Sequence, residues 1–316
     1  MKMISVVIPV YNEQYNVSLA YTAIREVLMT FKGQYDYEII FMDNRSTDGT
    51  FTKLKEIAEK DIKVKVVRFS RNFGYQRSIY TGFAISSGDA VIQFDSDLQD
   101  PLDLIKEFIK KWEEGFMVVY GVRRSRKEGK WLEFSRKAFY RLINALSEDD
   151  LPPDAGDFRL VDKKVVELLR QIYDYSPYLR GTIASFGFNQ LGIPYDRLER
   201  KHGRSKFNFL GLIGLAVDGI LNHSISLLRL ATFTGLLVFI ISIILIIVYS
   251  VGKLVFFPEW RAGFTTTIVL ILISLGLNTI FLGIIGEYIG RIYQQVKKFP
   301  IAIIDESMNL EKDKFN

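Results

Sequence analysis

The chain contains no cysteine. Disulfide bonds, thiolate catalysis and zinc sites built on thiolates are therefore excluded, and the redox compartment is left open. The only two histidines, His202 and His223, lie far apart and lack the spacing of metal ligands, so we expect structural or interfacial roles for them. Glycine-rich motifs for a dinucleotide cradle or a P-loop are also missing, which argues against both of these phosphate-binding devices.

Net charge is small, at +5 over 316 residues, but its distribution is uneven. Basic residues are concentrated at positions 123–141, 197–206 and 291–298. The sequence lacks a basic segment interleaved with aromatic residues, the pattern typical of a nucleic-acid-binding groove, so a nucleic-acid partner is not expected. The first residues carry one lysine and a short apolar run without a small-residue cleavage site, which predicts a first strand instead of a signal peptide.

The first hundred residues alternate between short β-rich runs and amphipathic stretches. Apolar runs at 4–8, 38–42, 64–69 and 90–94 predict strands, and helical periodicity follows the first three. This alternation indicates right-handed crossovers, an α/β fold and a mostly parallel sheet. Each predicted strand ends in polar residues, so we expect a ligand crevice at the carboxyl edge of the sheet.

Two aspartates follow the fourth predicted strand in the segment Asp95-Ser96-Asp97-Leu98-Gln99. Asp95 and Asp97, at the point where the chain leaves the extended conformation, can converge on one divalent cation, and Gln99 adds a neutral oxygen. Hard oxygen ligands suit Mg²⁺ or Mn²⁺ held partly by substrate phosphates. An isolated D-x-D is more often a solvated turn, so the hypothesis depends on the other strand ends.

Five segments of the chain form a combined motif, at residues 5–13, 43–50, 70–74, 95–101 and 156–160. Together they resemble glycosyltransferase family 2, in its polyprenyl-phosphate branch of bactoprenol glucosyltransferases and dolichyl-phosphate mannose synthases. The resemblance spans nearly the whole chain. One segment departs from the usual Asp-Asp-Gly-Ser, because the chain has Asp43-Asn44-Arg45-Ser46, and base selectivity is left open.

The resemblance implies a GT-A fold, a nucleotide-sugar donor, a divalent metal and inversion at the anomeric carbon. It places Asp97 and Gln99 on the metal, and Asp95 with Ser96 at the ribose and diphosphate. The nucleoside pocket would be lined by Pro9, Tyr11, Glu13 and Asp43.

Basic residues are candidates for gripping an acceptor phosphate, because guanidinium forks match phosphate oxygens. Arg123 stands at the end of a predicted strand beside the crevice, and Arg136 would face it from the next helix. The resemblance adds Lys206 and then Arg204 in the basic segment before the apolar part. Attraction to anionic headgroups is an alternative role for that segment.

Asp157 is expected to position the sugar or the acceptor, with a role as base secondary. A phosphate acceptor has a second pKa near 6, so its attacking oxygen is mostly deprotonated at pH 7 and needs no strong base. A turn-capping role is the alternative. Asp97, Asp157 and Arg123 are thus the predicted catalytic residues.

The last third of the chain is apolar. Uncharged stretches from Ala231 to about Val251 and from Phe264 to about Gly286 predict two transmembrane helices, preceded by an interfacial helix. Basic flanks predict that the catalytic domain and both termini are cytoplasmic, at the plasma (inner) membrane. The predicted organisation is a GT-A domain at 1–206, interfacial helices at 207–229, two spans at 230–290 and a tail at 291–316.

The leading hypothesis is transfer of a hexose, with glucose from UDP-glucose favoured, to undecaprenyl phosphate for modification of cell-envelope glycans. N-acetylglucosamine, mannose or aminoarabinose are alternative sugars, and relatives suggest a homotetramer. A processive polysaccharide synthase is disfavoured because no Q-x-x-R-W segment is present. A non-catalytic membrane scaffold that binds nucleotide sugars is the alternative from another class.

Overall fold

A computed structural model describes residues 1–124, 155–175, 177–198, 226–251 and 264–310. Eight strands in this part of the chain form one sheet. In chain order the strands are β1 (Lys2–Val10), β2 (Tyr35–Asp43), β3 (Val64–Phe69), β4 (Ala90–Gln93), β5 (Val118–Arg123), β6 (Ala155–Asp162), β7 (Gln190–Tyr195) and β8 (Ile304–Met308). The helices are α1 (Val17–Met29), α2 (Thr50–Lys60), α3 (Tyr75–Ile85), α4 (Asp103–Glu113), α5 (Lys163–Gln171), α6 (Leu179–Ser185), α7 (Ser226–Val251) and α8 (Phe264–Val296).

The sheet has the order β7-β5-β6-β4-β1-β2-β3-β8 and is mixed. Its centre, from β3 through β2 and β1 to β4, is parallel as the alternating pattern predicts. Strand β6 runs antiparallel to both of its neighbours, β4 and β5, and β8 runs antiparallel to β3. The α/β fold class is confirmed, and the parallel character is confined mainly to the half built by the first four strands.

Helices cover both faces of the sheet. Adjacent residues of β1 enter opposite cores, with Val6 and Ile8 on one side and Val7 on the other. The first core is closed by α1, α2 and α4, and the second by α3, α5 and α6. Because both faces of the central strands are buried, those strands are almost continuously apolar, as expected for a parallel sheet.

Helix α8 is 33 residues long and continues ten residues beyond the predicted end of the second apolar stretch. Within the described residues, one segment, Ile273–Val296, has the length and composition needed to cross a bilayer. Helix α7 is also present over 26 residues. The helices themselves are confirmed, whereas their passage through a membrane stays a prediction. On α8, Arg291 Nη2 donates to Glu287 Oε1 at 3.2 Å.

The segment after α8 returns to the sheet. Within the C-terminal tail predicted at 291–316, Ile304–Met308 forms the edge strand β8. Alternate side chains of this strand, including Ile304 and Met308, pack against the cores. The α/β domain therefore includes residues from both ends of the chain.

Candidate active site

Polar residues from separate strands meet at the carboxyl edge of the parallel half of the sheet. Val10 pairs with Asp43 in the β1–β2 register, and Val7 pairs with Gln93 in the β1–β4 register. Pro9 and Asp43 therefore lie at the same edge of the sheet as the turn that carries Asp95, with β1 between β2 and β4. The predicted convergence of these strand ends is confirmed.

Asp95 is held in a fixed orientation at this edge. Its Oδ1 accepts hydrogen bonds from the Tyr75 hydroxyl at 2.7 Å and from Gln93 Nε2 at 3.0 Å, and Gln93 Nε2 also donates to the Tyr75 hydroxyl at 2.9 Å. The pKa of Asp95 is raised to about 7, mainly by burial and also by the neighbouring carboxylates Asp100, Asp97 and Asp157, whereas the hydrogen bond from Tyr75 acts to lower it. The site concentrates negative charge where a cation would relieve it.

The turn after Asp95 is tight. Leu98 adopts a left-handed backbone with φ of 54°, which is uncommon for a residue other than glycine. Asp97 Oδ1 accepts from the Gln99 backbone N–H at 3.3 Å, so the turn folds back on the second aspartate. The Gln99 side-chain amide donates to the Leu198 carbonyl at 3.3 Å, while the Gln99 carbonyl accepts from the Leu198 N–H at 2.8 Å. Gln99 thus ties the turn to the segment after β7.

Asp100 links this turn to the predicted acceptor residue Arg123. The Tyr195 hydroxyl donates to Asp100 Oδ1 and accepts from Arg123 Nε at 3.2 Å. Burial opposes the charge of Arg123, but Tyr195 and the carboxylates Asp100 and Asp95 outweigh it and raise the pKa of the guanidinium. Arg123 therefore stays cationic at the border of the acidic cluster.

Arg197 provides a second cation next to the aspartates. Its guanidinium lies 3.9 Å from both Asp97 Oδ2 and Asp100 Oδ1. Asp100 is almost fully buried, and its Oδ2 has no hydrogen-bond partner among the described residues. Part of the negative charge here is therefore left for a ligand to satisfy.

Asp157 sits on the other side of the cluster, on β6. Its Oδ1 lies 3.2 Å from Arg180 Nε, within ion-pair distance, and both side chains are about a quarter exposed. Its neighbour Arg159 is buried and donates to the carbonyls of Asp157 at 3.3 Å and Gly156 at 3.0 Å. Burial lowers the pKa of Arg159 to about 10, so this arginine is still protonated at neutral pH. Asp157 is thus held next to a cation, which agrees with a positioning role.

The loops after β1 and β2 are joined by side-chain hydrogen bonds, in the region where the resemblance places the nucleoside pocket. Asn12 N–H donates to Ser46 Oγ at 3.0 Å, and Thr47 N–H returns a bond to Asn12 Oδ1 at 2.8 Å. Glu13 N–H donates to Thr50 Oγ1 at 2.8 Å. These hydrogen bonds therefore connect the two loops directly.

Asp43 is buried at the base of these loops. Its Oδ1 accepts from the Ser46 N–H at 3.0 Å, and its Oδ2 lies 3.4 Å from Arg68 Nε. Burial raises the pKa of Asp43, while Ser46 and Arg68 act to lower it. Tyr11 and Ser96 belong to the same edge; Ser96 is buried, whereas Tyr11 is only partly so.

The negative charge of this edge suits a divalent metal, whereas its described side chains are not arranged as a complete set of metal ligands. No group of three or more His, Cys, Asp or Glu side chains is arranged to hold a metal within the described ranges. Mg²⁺ is commonly bound through one or two carboxylates with substrate phosphates completing its shell. Asp95 and Asp97 can supply that share, and Asp100 Oδ2 beside them is buried without a hydrogen-bond partner among the described residues. Their roles as ligands, and that of Gln99, stay predictions.

Three predicted acceptor residues, Arg136, Arg204 and Lys206, lie outside the described residues, as do both histidines. The roles predicted for the other site residues likewise stay predictions, although the structure brings these side chains to one edge. Sequence reasoning missed Tyr75, Tyr195, Arg180 and Arg197. Only the basic content of 197–206 gave a signal for Arg197; the others reach the site through tertiary packing.

The model of the family described as "Glycosyl transferase family 2" matches residues 5–170, just over half of the chain. The chain belongs to this family. Its Rossmann-like α/β arrangement agrees with the predicted GT-A fold. The matched region begins in β1 and includes the strand ends, the D-x-D turn and Asp157.

Full-length relatives extend the similarity through the apolar helices. The "Uncharacterized glycosyltransferase YkcC" of Bacillus subtilis (strain 168) is 37% identical over 308 residues, covering 97% of this chain and 94% of the relative. The "SfII prophage-derived bactoprenol glucosyl transferase" of Shigella flexneri is 36% identical over 305 residues, covering 96% and 98%. The chain is therefore similar to these family members well beyond the matched domain.

Among solved structures, the mannosyltransferase PcManGT from Pyrobaculum calidifontis, in complex with GDP-Man and Mn²⁺, is 15% identical with a TM-score of 0.44. The match covers 93% of this chain and 86% of the mannosyltransferase chain. Mannosyl-3-phosphoglycerate synthase from Rubrobacter xylanophilus is 17% identical with a TM-score of 0.46, covering 74% and 75%.

Proposed function

We propose that this protein is a membrane-anchored, inverting glycosyltransferase that moves a hexose from a nucleotide diphosphate to a polyprenyl phosphate. The preferred donor is UDP-glucose, and the preferred acceptor is undecaprenyl phosphate. One observation carries the proposal: the acidic D-x-D edge and the cationic Arg123 are joined through Asp100 and Tyr195. An anionic leaving group and an anionic acceptor can thus be held side by side.

The donor would lie across the loops after β1 and β2, with its diphosphate over Asp95 and Asp97. A metal bound there would neutralise the charge that develops on the leaving diphosphate. Tyr75 and Gln93 fix Asp95, and the pKa of about 7 allows a bound cation to displace the proton near neutral pH. The chain's contribution on this side is therefore orientation of two carboxylates.

The acceptor phosphate would lie against Arg123, with Arg136, Arg204 and Lys206 as further candidates. Tyr195 holds Arg123 through its Nε, and in the part of the chain that the structure describes no hydrogen bond is made by the terminal guanidinium nitrogens, which would bind phosphate oxygens. The phosphate is mostly ionised at pH 7, so attack needs alignment more than proton removal. The ion pair between Asp157 and Arg180 agrees with this division of roles, because Asp157 would position a substrate.

The apolar helices would bring the enzyme to an acceptor that stays in the bilayer. Ile273–Val296 supports membrane passage through its length and composition, and exposed side chains such as Leu236 and Ile240 give α7 an apolar surface. Two spans with basic flanks would leave the active site in the cytoplasm, where nucleotide sugars are made. The bactoprenol glucosyl transferase relatives support the choice of lipid class.

A product assay tests the proposal and separates an enzyme from a scaffold. The full-length protein is incubated with Mn²⁺, undecaprenyl phosphate and, in turn, UDP-glucose, UDP-N-acetylglucosamine, GDP-mannose and UDP-aminoarabinose, and glycolipids are identified by mass. We expect one hexosyl-phosphoundecaprenol, its loss with EDTA and its loss in Asp97→Ala. The matched control is Asp103→Ala, because Asp103 is a largely exposed aspartate on α4 that pairs with Lys106. Absence of any glycolipid from the wild type, or full turnover by Asp97→Ala, would refute the proposal.

A further inference from the structure

Residues 303–309, which we call the C-terminal strap, lie along the β3 edge of the sheet, next to the loop between β2 and α2. Ser70 N–H donates to the Ile303 carbonyl at 2.9 Å, and β8 then pairs antiparallel with β3. At the other end, Asn309 Nδ2 donates to the carbonyls of Ala58 at 2.7 Å and Val64 at 2.9 Å. The strap is therefore fixed at both ends.

Two acidic side chains of the strap face basic partners. Asp305 Oδ2 accepts from Arg45 Nη1, and Glu306 Oε1 pairs with Lys55 Nζ. The two pairs are similarly exposed, at 44% and 47% for the first and 38% and 43% for the second. They differ in what they hold: Lys55 lies within α2, whereas Arg45 lies in the loop between β2 and α2.

Arg45 occupies a strained position in that loop. Its φ of 61° is left-handed, where a side chain costs roughly 1 kcal/mol relative to glycine. The next residue, Ser46, accepts from Asn12 N–H at 3.0 Å and donates its own N–H to Asp43 at 3.0 Å. Ser46, next to Arg45, therefore connects the two loops that meet at the donor edge.

The strap also supports the same loop from below. Arg68 of β3 is paired in register with Glu306, donates to the Ser46 carbonyl at 3.2 Å and lies 3.4 Å from Asp43. Strand β8 therefore pairs with Arg68, which donates to the loop, while Asp305 forms an ion pair with Arg45 in the same loop. These contacts connect the segment after α8 with the region around Asp43.

We infer that Asp305 of the C-terminal strap acts through Arg45 as a positioning residue for the loop of residues 44–49, which belongs to the donor-nucleotide site. The inference rests on the proposed function, because it assigns that loop to the nucleotide. The nucleoside diphosphate would bind to a loop whose strained conformation is kept by a residue more than 250 positions away. Loss of Asp305 would weaken nucleotide binding and leave the chemical step intact.

The test measures binding of UDP and, separately, GDP to the full-length protein in detergent with saturating Mn²⁺, by isothermal titration calorimetry. An exposed ion pair contributes up to about 1 kcal/mol, so we expect Asp305→Ala to weaken binding by about fivefold. Glu306→Ala, which removes the matched pair on the same strand, should change it by less than about twofold. Asp305→Glu should restore most of the affinity.

A second variant tests the route through Arg45. Arg45→Gly keeps the left-handed backbone accessible and removes the guanidinium, so it should match Asp305→Ala, and the double variant should lose no more than either single one. In the transfer assay, the donor KM of Asp305→Ala should rise about fivefold with little change in kcat, while its Tm stays close to that of Glu306→Ala.

The possible outcomes separate this inference from the proposed function. Wild-type affinity in Asp305→Ala, or equal weakening by Glu306→Ala, overturns the inference while nucleotide binding by the wild type still supports the proposed function. Failure of the wild type to bind either nucleotide overturns both.

Discussion

Removal of the Tyr75 hydroxyl tests how the acidic edge is prepared for a cation. Its 2.7 Å bond to Asp95 Oδ1 favours the ionised carboxylate, which burial disfavours. A hydrogen bond to a charged group contributes about 2 kcal/mol, so Tyr75→Phe should weaken Mn²⁺ binding by about 30-fold. A loss of this size is also usual when a residue that orients a metal ligand is changed.

The pH dependence has a definite sign. The Tyr75 bond lowers the pKa of Asp95, so its removal moves this pKa further above about 7. A proton then competes with the metal more strongly, and the difference between Tyr75→Phe and the wild type should be larger at pH 6 than at pH 8.5. Isothermal titration with Mn²⁺ in the presence of UDP at both pH values measures it.

The matched control is Tyr80→Phe on the same helix. Tyr80 donates to the Leu169 carbonyl at 2.8 Å, and its phenol is buried in the core under α3. This variant should lose about 1 kcal/mol of stability while keeping wild-type Mn²⁺ affinity. Equal Mn²⁺ affinity in Tyr75→Phe and the wild type would refute the proposed role of Tyr75.

Three further predictions concern other parts of the domain. Arg123→Ala should raise the KM for undecaprenyl phosphate at least tenfold with unchanged UDP affinity, and equal KM values would contradict its acceptor role. Glu38→Gln should cost about 3 kcal/mol at pH 7, since it breaks a buried pair with Lys65. Burial disfavours the charged form of Glu38, but hydrogen bonds from Lys65, Ser5 and Ser87 outweigh burial and lower the pKa of this carboxyl. The stabilisation that Glu38 provides is therefore lost as pH falls through the lowered pKa. The difference in Tm between Glu38→Gln and the wild type should narrow below about pH 4. Gly82→Ala should lower Tm by several degrees, because a Cβ would lie 2.3 Å from Val7 Cγ1, and an unchanged Tm would contradict the packing of α3 on β1.

The parallel half of the sheet could be predicted because it follows chain order. Apolar runs separated by helical segments require crossovers, and crossovers bring strand ends such as Asp43 and Asp95 to one edge. The insertion of β6 between β4 and β5 could not be predicted in this way, because nothing local in Ala155–Asp162 specifies an antiparallel partner. Pairing at long sequence separation depends on how whole layers pack.

Strand β8 shows the same limit at the other end of the chain. Ile-Asp-Glu-Ser-Met is a short sequence with little β-branching, so its pattern does not distinguish an edge strand from a polar tail. Its assignment becomes possible only with β3 and the basic residues Arg45 and Lys55 in place. By contrast, the left-handed backbone of Arg45 agrees with the glycine usual at that position in the resembled family.

The most direct test of the account is the position of Mn²⁺ in a crystal of the full-length protein with UDP and a short polyprenyl phosphate. The account predicts one anomalous peak about 2.1 Å from an Asp97 carboxylate oxygen and in contact with the diphosphate, with the acceptor phosphate on Arg123. A metal and nucleotide bound away from Asp97, or an acceptor phosphate bound far from Arg123, would contradict it.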